Sequence, residues 1–116
     1  MRRTVLAVLL AVALAGPVRA ADAFVDGIED LPLMAGLSSA GEATVFDAAQ
    51  GRVVESLAEG APTRAAVLDF YAATLPQLGW RADGVGRFAR EGERLVIEFP
   101  PGGAGRTLVR FFLSPE

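Results

Sequence analysis

The chain has 116 residues, 11 of them basic and 14 acidic, and contains no cysteine, histidine or lysine. That length supports one small domain. The missing residue types exclude a Ser-His-Asp or Cys-His nucleophile, a Schiff-base lysine, and zinc or copper sites built on imidazole or thiolate.

The first twenty residues, "MRRTVLAVLLAVALAGPVRA", have the layout of a secretory signal peptide. Arg2 and Arg3 form the basic start, an uncharged apolar run follows, and Val18-Arg19-Ala20 supplies a small-residue end with cleavage expected near Ala20. The apolar run is too short to cross a bilayer, which needs roughly 20 apolar residues. Cleavage removes Arg2, Arg3 and Arg19 and leaves eight basic residues against all 14 acidic ones. The expectation is a periplasmic or secreted protein with no stable membrane anchor. So acidic a surface also argues against nucleic acid or anionic lipid as a partner.

Residues 21–41 read as an irregular N-terminal segment. Leu31, Leu33, Met34 and Leu37 make it too apolar for a disordered tail, so it is expected to dock on the domain. Residues 42–116 read as a single α+β domain. It opens with a hairpin, Ala43 to Ala48 and Arg52 to Ala58, turning at Gln50-Gly51, where glycine supplies a positive φ.

Thr63 stands at an N-cap position ahead of a helical run. Val67, Phe70, Tyr71, Leu75 and Leu78 form one apolar stripe, with Arg64, Asp69 and Gln77 off it. The end of this helix, "YAATLPQLGW", is a structural joint carried by Tyr71, Pro76, Gly79 and Trp80. Pro76 lacks an N–H and clashes with the Ala72 carbonyl, which loosens the last turn. Gly79 closes the helix in the left-handed conformation, and Trp80 starts the next strand under the helix.

Period-two alternation follows. "WRAD", "RFAR", "RLVIEF" and "RTLVRFFLS" read as four short strands with hairpin-sized links, an antiparallel meander covered on one face by the helix. The expected order is ββαββββ. Leu95, Ile97, Val109, Phe111 and Leu113 form the face toward the helix. Val96, Leu108 and Phe112 then point the other way, although a second sheet face is usually polar. They, with Arg110, are the candidate interaction surface. Residues 31–37, a second copy of the chain or another partner are the candidates to cover it.

Other chemistry is thin. Carboxylates are the remaining acid–base groups, but they are scattered through turns and strand edges, where solvated surface groups are the simpler reading. The acidic cluster Asp22, Asp26, Glu29 and Asp30 lacks calcium-loop spacing. Arg81, Arg87, Arg90, Arg94 and Arg110 are interspersed with Asp83, Glu91, Glu93 and Glu98, which favours cross-strand pairing over an anion site.

The "LPLMAGL" stretch, the hairpin, the "FYxxxLPxLGW" joint and the hairpin carrying Phe88, Gly92, Leu95 and Ile97 together resemble a widespread module of bacterial exported proteins and lipoproteins of unknown function. The resemblance spans residues 31 to 113 and implies the fold, with no catalytic residues and no cofactor. This chain lacks the lipobox cysteine of the lipoprotein members. The reading is an exported, non-enzymatic module that binds a protein or envelope component, with homo-oligomer formation as one form of that binding. A small apolar-ligand carrier and, behind it, a carboxylate-dependent hydrolase are the alternatives.

Overall fold

A computed structural model of the chain describes residues 23–116. The expected leader, residues 1–20, and its cleavage position lie outside the described residues. The fold is α+β, with one helix packed on a seven-stranded antiparallel sheet.

The hairpin forms as β2 (Thr44–Ala48) and β3 (Gly51–Gly60), joined at Ala49-Gln50 with Gly51 at φ 144°. Helix α1 spans Arg64–Thr74, and the Thr63 hydroxyl accepts a hydrogen bond from the Ala66 amide at 3.1 Å. The chain then tightens into a 3₁₀ turn, Leu75–Leu78. Strands β4 (Arg81–Ala82), β5 (Arg87–Arg90), β6 (Glu93–Glu98) and β7 (Thr107–Pro115) complete the sheet. Glu91 and Gly92 both take positive φ in the two-residue turn between β5 and β6, the geometry that matches strand twist.

One strand more than expected precedes the hairpin. Strand β1 (Leu37–Ser39) lies in the segment read as irregular and pairs with Ala58–Gly60 of β3. The reason is length. Strand β2 pairs only with residues 51–55 of the ten-residue β3. The rest of that edge would expose unpaired backbone groups, and β1 occupies it. The sheet order is β1–β3–β7–β6–β5–β4, with β2 beside β1 on the same edge of β3. Strand β7, last in the chain, is therefore paired on both sides.

Register sorts the side chains. Phe88, Leu95, Leu113 and Val54 align across β5, β6, β7 and β3, and Ile97, Phe111 and Ser56 align in the next inward row. This inner face packs against Val67, Tyr71 and Leu75, all buried. Leu78, expected in the same stripe, is 40% exposed. The change from 3.6 to 3.0 residues per turn after Thr74 rotates the stripe away from the sheet before Leu78 is reached.

The N-terminal segment completes the core. Its backbone folds on itself, with the Val25 amide donating to the Leu31 carbonyl at 2.8 Å and the Leu33 amide to the Ala23 carbonyl at 3.0 Å. Val25, Ile28 and Leu31 point inward and are buried. The segment lies on the helix side of the sheet, not across the face of Val96, Leu108 and Phe112. The tie is Tyr71, whose hydroxyl donates to the Pro32 carbonyl at 2.7 Å and accepts from the Met34 amide at 3.2 Å. Burial pushes the Tyr71 phenol well above its ordinary range. Gly60 lets the segment approach, because a methyl group there would overlap the Gly36 carbonyl.

Candidate interaction surface

Alternation puts the second set of side chains on the opposite face of the sheet. Val96 of β6 stands beside Phe112 of β7, which stands beside Glu55 of β3. One row further along, Glu98, Arg110 and Leu57 align, and Leu108 stands beside Glu59. Val53 stands beside Phe46 of β2. No helix covers this face among the described residues. Val53, Leu57, Val96, Leu108 and Phe112 are half-buried, and Phe46 is 59% exposed. Val96, Leu108, Phe112 and Arg110 thus lie on one surface, as their alternation implies.

Arg110 organises the middle of this surface. Its Nε lies 2.6 Å from a Glu55 carboxylate oxygen, and one terminal nitrogen donates to Glu98 at 3.0 Å. Its guanidinium carbon sits 5.2 Å from the centre of the Phe112 ring. Paired with carboxylates on both neighbouring strands, the arginine covers part of the Phe112 ring while keeping charge at the water boundary. The other arginines divide. Arg90 leaves the meander to pair with Asp30 of the N-terminal segment, lies 4.4 Å over the Trp80 ring and donates to the Leu78 carbonyl at 3.0 Å. That hydrogen bond from Arg90 holds the Asp30 carboxyl below its ordinary range. Arg52 pairs with Glu93 at 3.1 Å and Arg81 with Glu116 at 3.6 Å. Arg87 and Arg94 form no ion pair among the described residues, although both stand on the outer face.

The outer face is wider than Val96, Leu108 and Phe112. Val53, Leu57 and Phe46 extend it across β3 and β2. The signal was present in "RVVESLAEG", where Val53 and Leu57 alternate with Glu55 and Glu59 about a buried set of Val54, Ser56 and Ala58.

The joint residues play a structural part. Gly79 sits at φ 92°, and the Trp80 amide donates to the Leu75 carbonyl at 3.0 Å, closing the turn that contains Pro76. Trp80 is buried beneath Arg90, and Tyr71 holds the N-terminal segment.

A concavity lies on the helix-covered side. It is an open cleft of about 470 Å³ between the later half of α1 and the Ala82–Gly86 turn, lined by Leu68, Ala72, Ala82, Val85 and Phe88 with Asp69 at its rim. Among the described residues, no cluster of three or more Asp or Glu could hold a metal ion. Asp26 and Asp30 are engaged with the Ala43 amide and Arg90, and Asp22 lies outside the described residues. No described helix is long and apolar enough to cross a membrane.

No protein family, curated protein or solved structure matches the chain.

Proposed function

We propose that this protein is an exported, non-enzymatic interaction module of the cell envelope, and that the outer sheet face is its contact surface. The signal-peptide layout of residues 1–20 and the resemblance carried by the "FYxxxLPxLGW" joint support export and the envelope setting. The observation that carries the reading is the apolar spine of Val96, Leu108 and Phe112, widened by Val53 and Leu57, on a face that neither the helix nor the N-terminal segment covers. Antiparallel sheets ordinarily show water a polar second face. Apolar side chains set around a central arginine paired with Glu55 and Glu98 make a mixed surface of the kind found in protein contacts.

Crosslinking in the envelope, followed by capture of the protein, tests the reading. Crosslinks that Phe112→Glu abolishes are the expected result. Crosslinks unchanged by Phe112→Glu and by Leu108→Glu would place the contact elsewhere.

A second reading, a carrier of a small apolar ligand, has the cleft in its favour. Its walls are apolar and Asp69 is the one charge at its rim. An apolar fluorescent probe that binds the protein and is displaced by Leu68→Trp would support it. Binding unaffected by that change would remove it.

A further inference from the structure

We propose that the free edge of β2 takes up an extended segment of another polypeptide as an added strand, apolar at its centre and basic toward its ends. This goes beyond the outer-face contact, because the edge binds through backbone groups. Their direction carries the proposal. Hydrogen-bonded and open pairs alternate along an antiparallel ladder, so each residue turns its N–H and its C=O to the same side. The Ala40 amide donates to the Leu57 carbonyl at 2.8 Å, so Leu57 turns its groups toward the β1 side of β3. The pairings of β3 with β2 and with β7 run without a bulge. By alternation, Val53 and Glu55 turn theirs to that side too, where they meet Phe46 and Thr44. Val45 and Asp47 therefore turn their N–H and C=O away from β3. The Ala43 amide agrees, since it points the same way and donates to the Asp26 carboxylate at 2.8 Å. Asp26 caps the start of this edge. Among the described residues nothing pairs with the backbone of Val45 and Asp47 on that side.

The two ends of the sheet meet water differently. Short strands, charge and proline are the usual guards of an edge. At the opposite edge β4 is two residues long and carries Arg81. Strand β2 is five residues long and exposed throughout, and its middle is Val45, 54% exposed, and Phe46, 59% exposed. Val45 lies on the inner side beside Val54, and Phe46 on the outer side beside Val53. An incoming strand therefore meets apolar side chains on both faces of its middle. Main-chain bonds hold such a strand and side-chain contacts select it. The charges that bracket the edge are acidic. Glu42 and Asp47 are exposed and form no ion pair among the described residues, and Arg52, across from Asp47, is held by Glu93. A segment with basic ends complements that sign. The β2 strand of a second copy, TVFDA, brings a carboxylate and no basic side chain.

Selection of short peptides from a random displayed library, with the purified protein as bait, tests this. The expected binders share an apolar centre with lysine or arginine toward the ends. Amide hydrogen exchange read residue by residue by NMR locates them. The Val45 and Asp47 amides should exchange fast in the free protein and slowly with peptide bound, while the Phe46 amide, bonded to β3, is slow in both. Val45→Pro deletes an outward N–H that the β2–β3 ladder does not use and should weaken the peptide about tenfold or more. Asp47→Lys leaves the ladder untouched and should weaken it about threefold. No binder, binders that neither substitution weakens, or Val45 and Asp47 amides already protected in dilute free protein overturn the proposal. Protection of those amides that grows with protein concentration makes a second copy the occupant and overturns it too. Peptides lost with Phe112→Glu but indifferent to Val45→Pro overturn the edge and leave the outer-face contact standing. Envelope crosslinks that ignore Phe112→Glu, with peptides that still respond to Val45→Pro, remove the outer-face reading and support the edge.

Discussion

The two faces of the sheet are built from the same strands and nearly the same amino-acid types, yet they have different fates. Inward, Phe111 and Leu113 are fully buried beneath α1 and the N-terminal segment. Outward, Phe112 and Leu108, their immediate neighbours in sequence, stay half-buried with Glu55, Glu59 and Glu98 among them. Apolar content alone does not decide which face becomes core. Covering elements do, and the described residues supply them for one face. The inner face also carries the small side chains, Ser56, Ala58 and Gly60 on β3, that let backbone approach closely. The outer face carries charge at every second outward position of β3 instead, Glu55 and Glu59 alternating with Val53 and Leu57.

Neighbouring substitutions in β7 test that contrast most sharply. Phe111→Ala should cost about 3–5 kcal/mol, the usual loss for a buried aromatic. Phe112→Ala should cost less, about 1–2 kcal/mol in the isolated chain, because part of its ring is already in contact with water. Urea unfolding of the two variants measures the difference. Equal losses would mean that the outer face is as much core as the inner one.

The N-terminal cover can be loosened without touching an apolar side chain. Gly60→Ala forces a methyl group into the Gly36 carbonyl and should destabilise by about 1–3 kcal/mol, as overpacking does. The β1 amides should then exchange faster with solvent while those of β6 stay protected.

Tyr71→Phe keeps the ring and removes the hydroxyl that ties Pro32 and Met34 to the helix. Leaving those backbone groups unmatched should cost about 1–3 kcal/mol. The pH dependence has a definite sign. The phenol stays protonated in the folded protein well above the ordinary value of 10.0. Its contribution is therefore complete below that pH and is lost as pH rises beyond it, because the unfolded chain gives up the proton first. Tyr71→Phe should flatten this alkaline decline in thermal melts.

The smallest effect belongs to Asp30→Asn. The Asp30 side chain is 55% exposed, so its pairing with Arg90 is screened and should contribute no more than about 1 kcal/mol. Its carboxyl is held below the ordinary 3.8. The contribution is present above that pH and disappears as pH falls through the folded value. The variant should match the parent chain in strong acid and fall slightly behind it near neutrality.

Much of this fold was legible in the sequence because the signals are local. The Thr63 cap, the Gly79 closure and the alternation of β6 and β7 each act within a few residues. The position of the N-terminal segment was not legible. Leu31, Leu33, Met34 and Leu37 declare that the segment docks, but the choice of face is made by Tyr71, a residue 39 positions from Pro32, and by the space over Gly60. Strand β1 was missed for a related reason. Nothing in "LSS" is strongly β-forming, and the strand exists because β3 leaves part of an edge open. Of the contact surface, the β6 and β7 residues followed from alternation. Its breadth across β3 depended on a register that only the folded pairing supplies.

Strand β7 is the last of the seven in chain order, yet it holds the middle of the sheet, bonded to β3 on one side and β6 on the other. The order of assembly follows. While synthesis proceeds, the hairpin, the helix and the N-terminal segment have no inner wall of Val109, Phe111 and Leu113 to close upon. No earlier fragment can bury its apolar surface, so the chain remains open until the strand arrives and then folds as one cooperative unit.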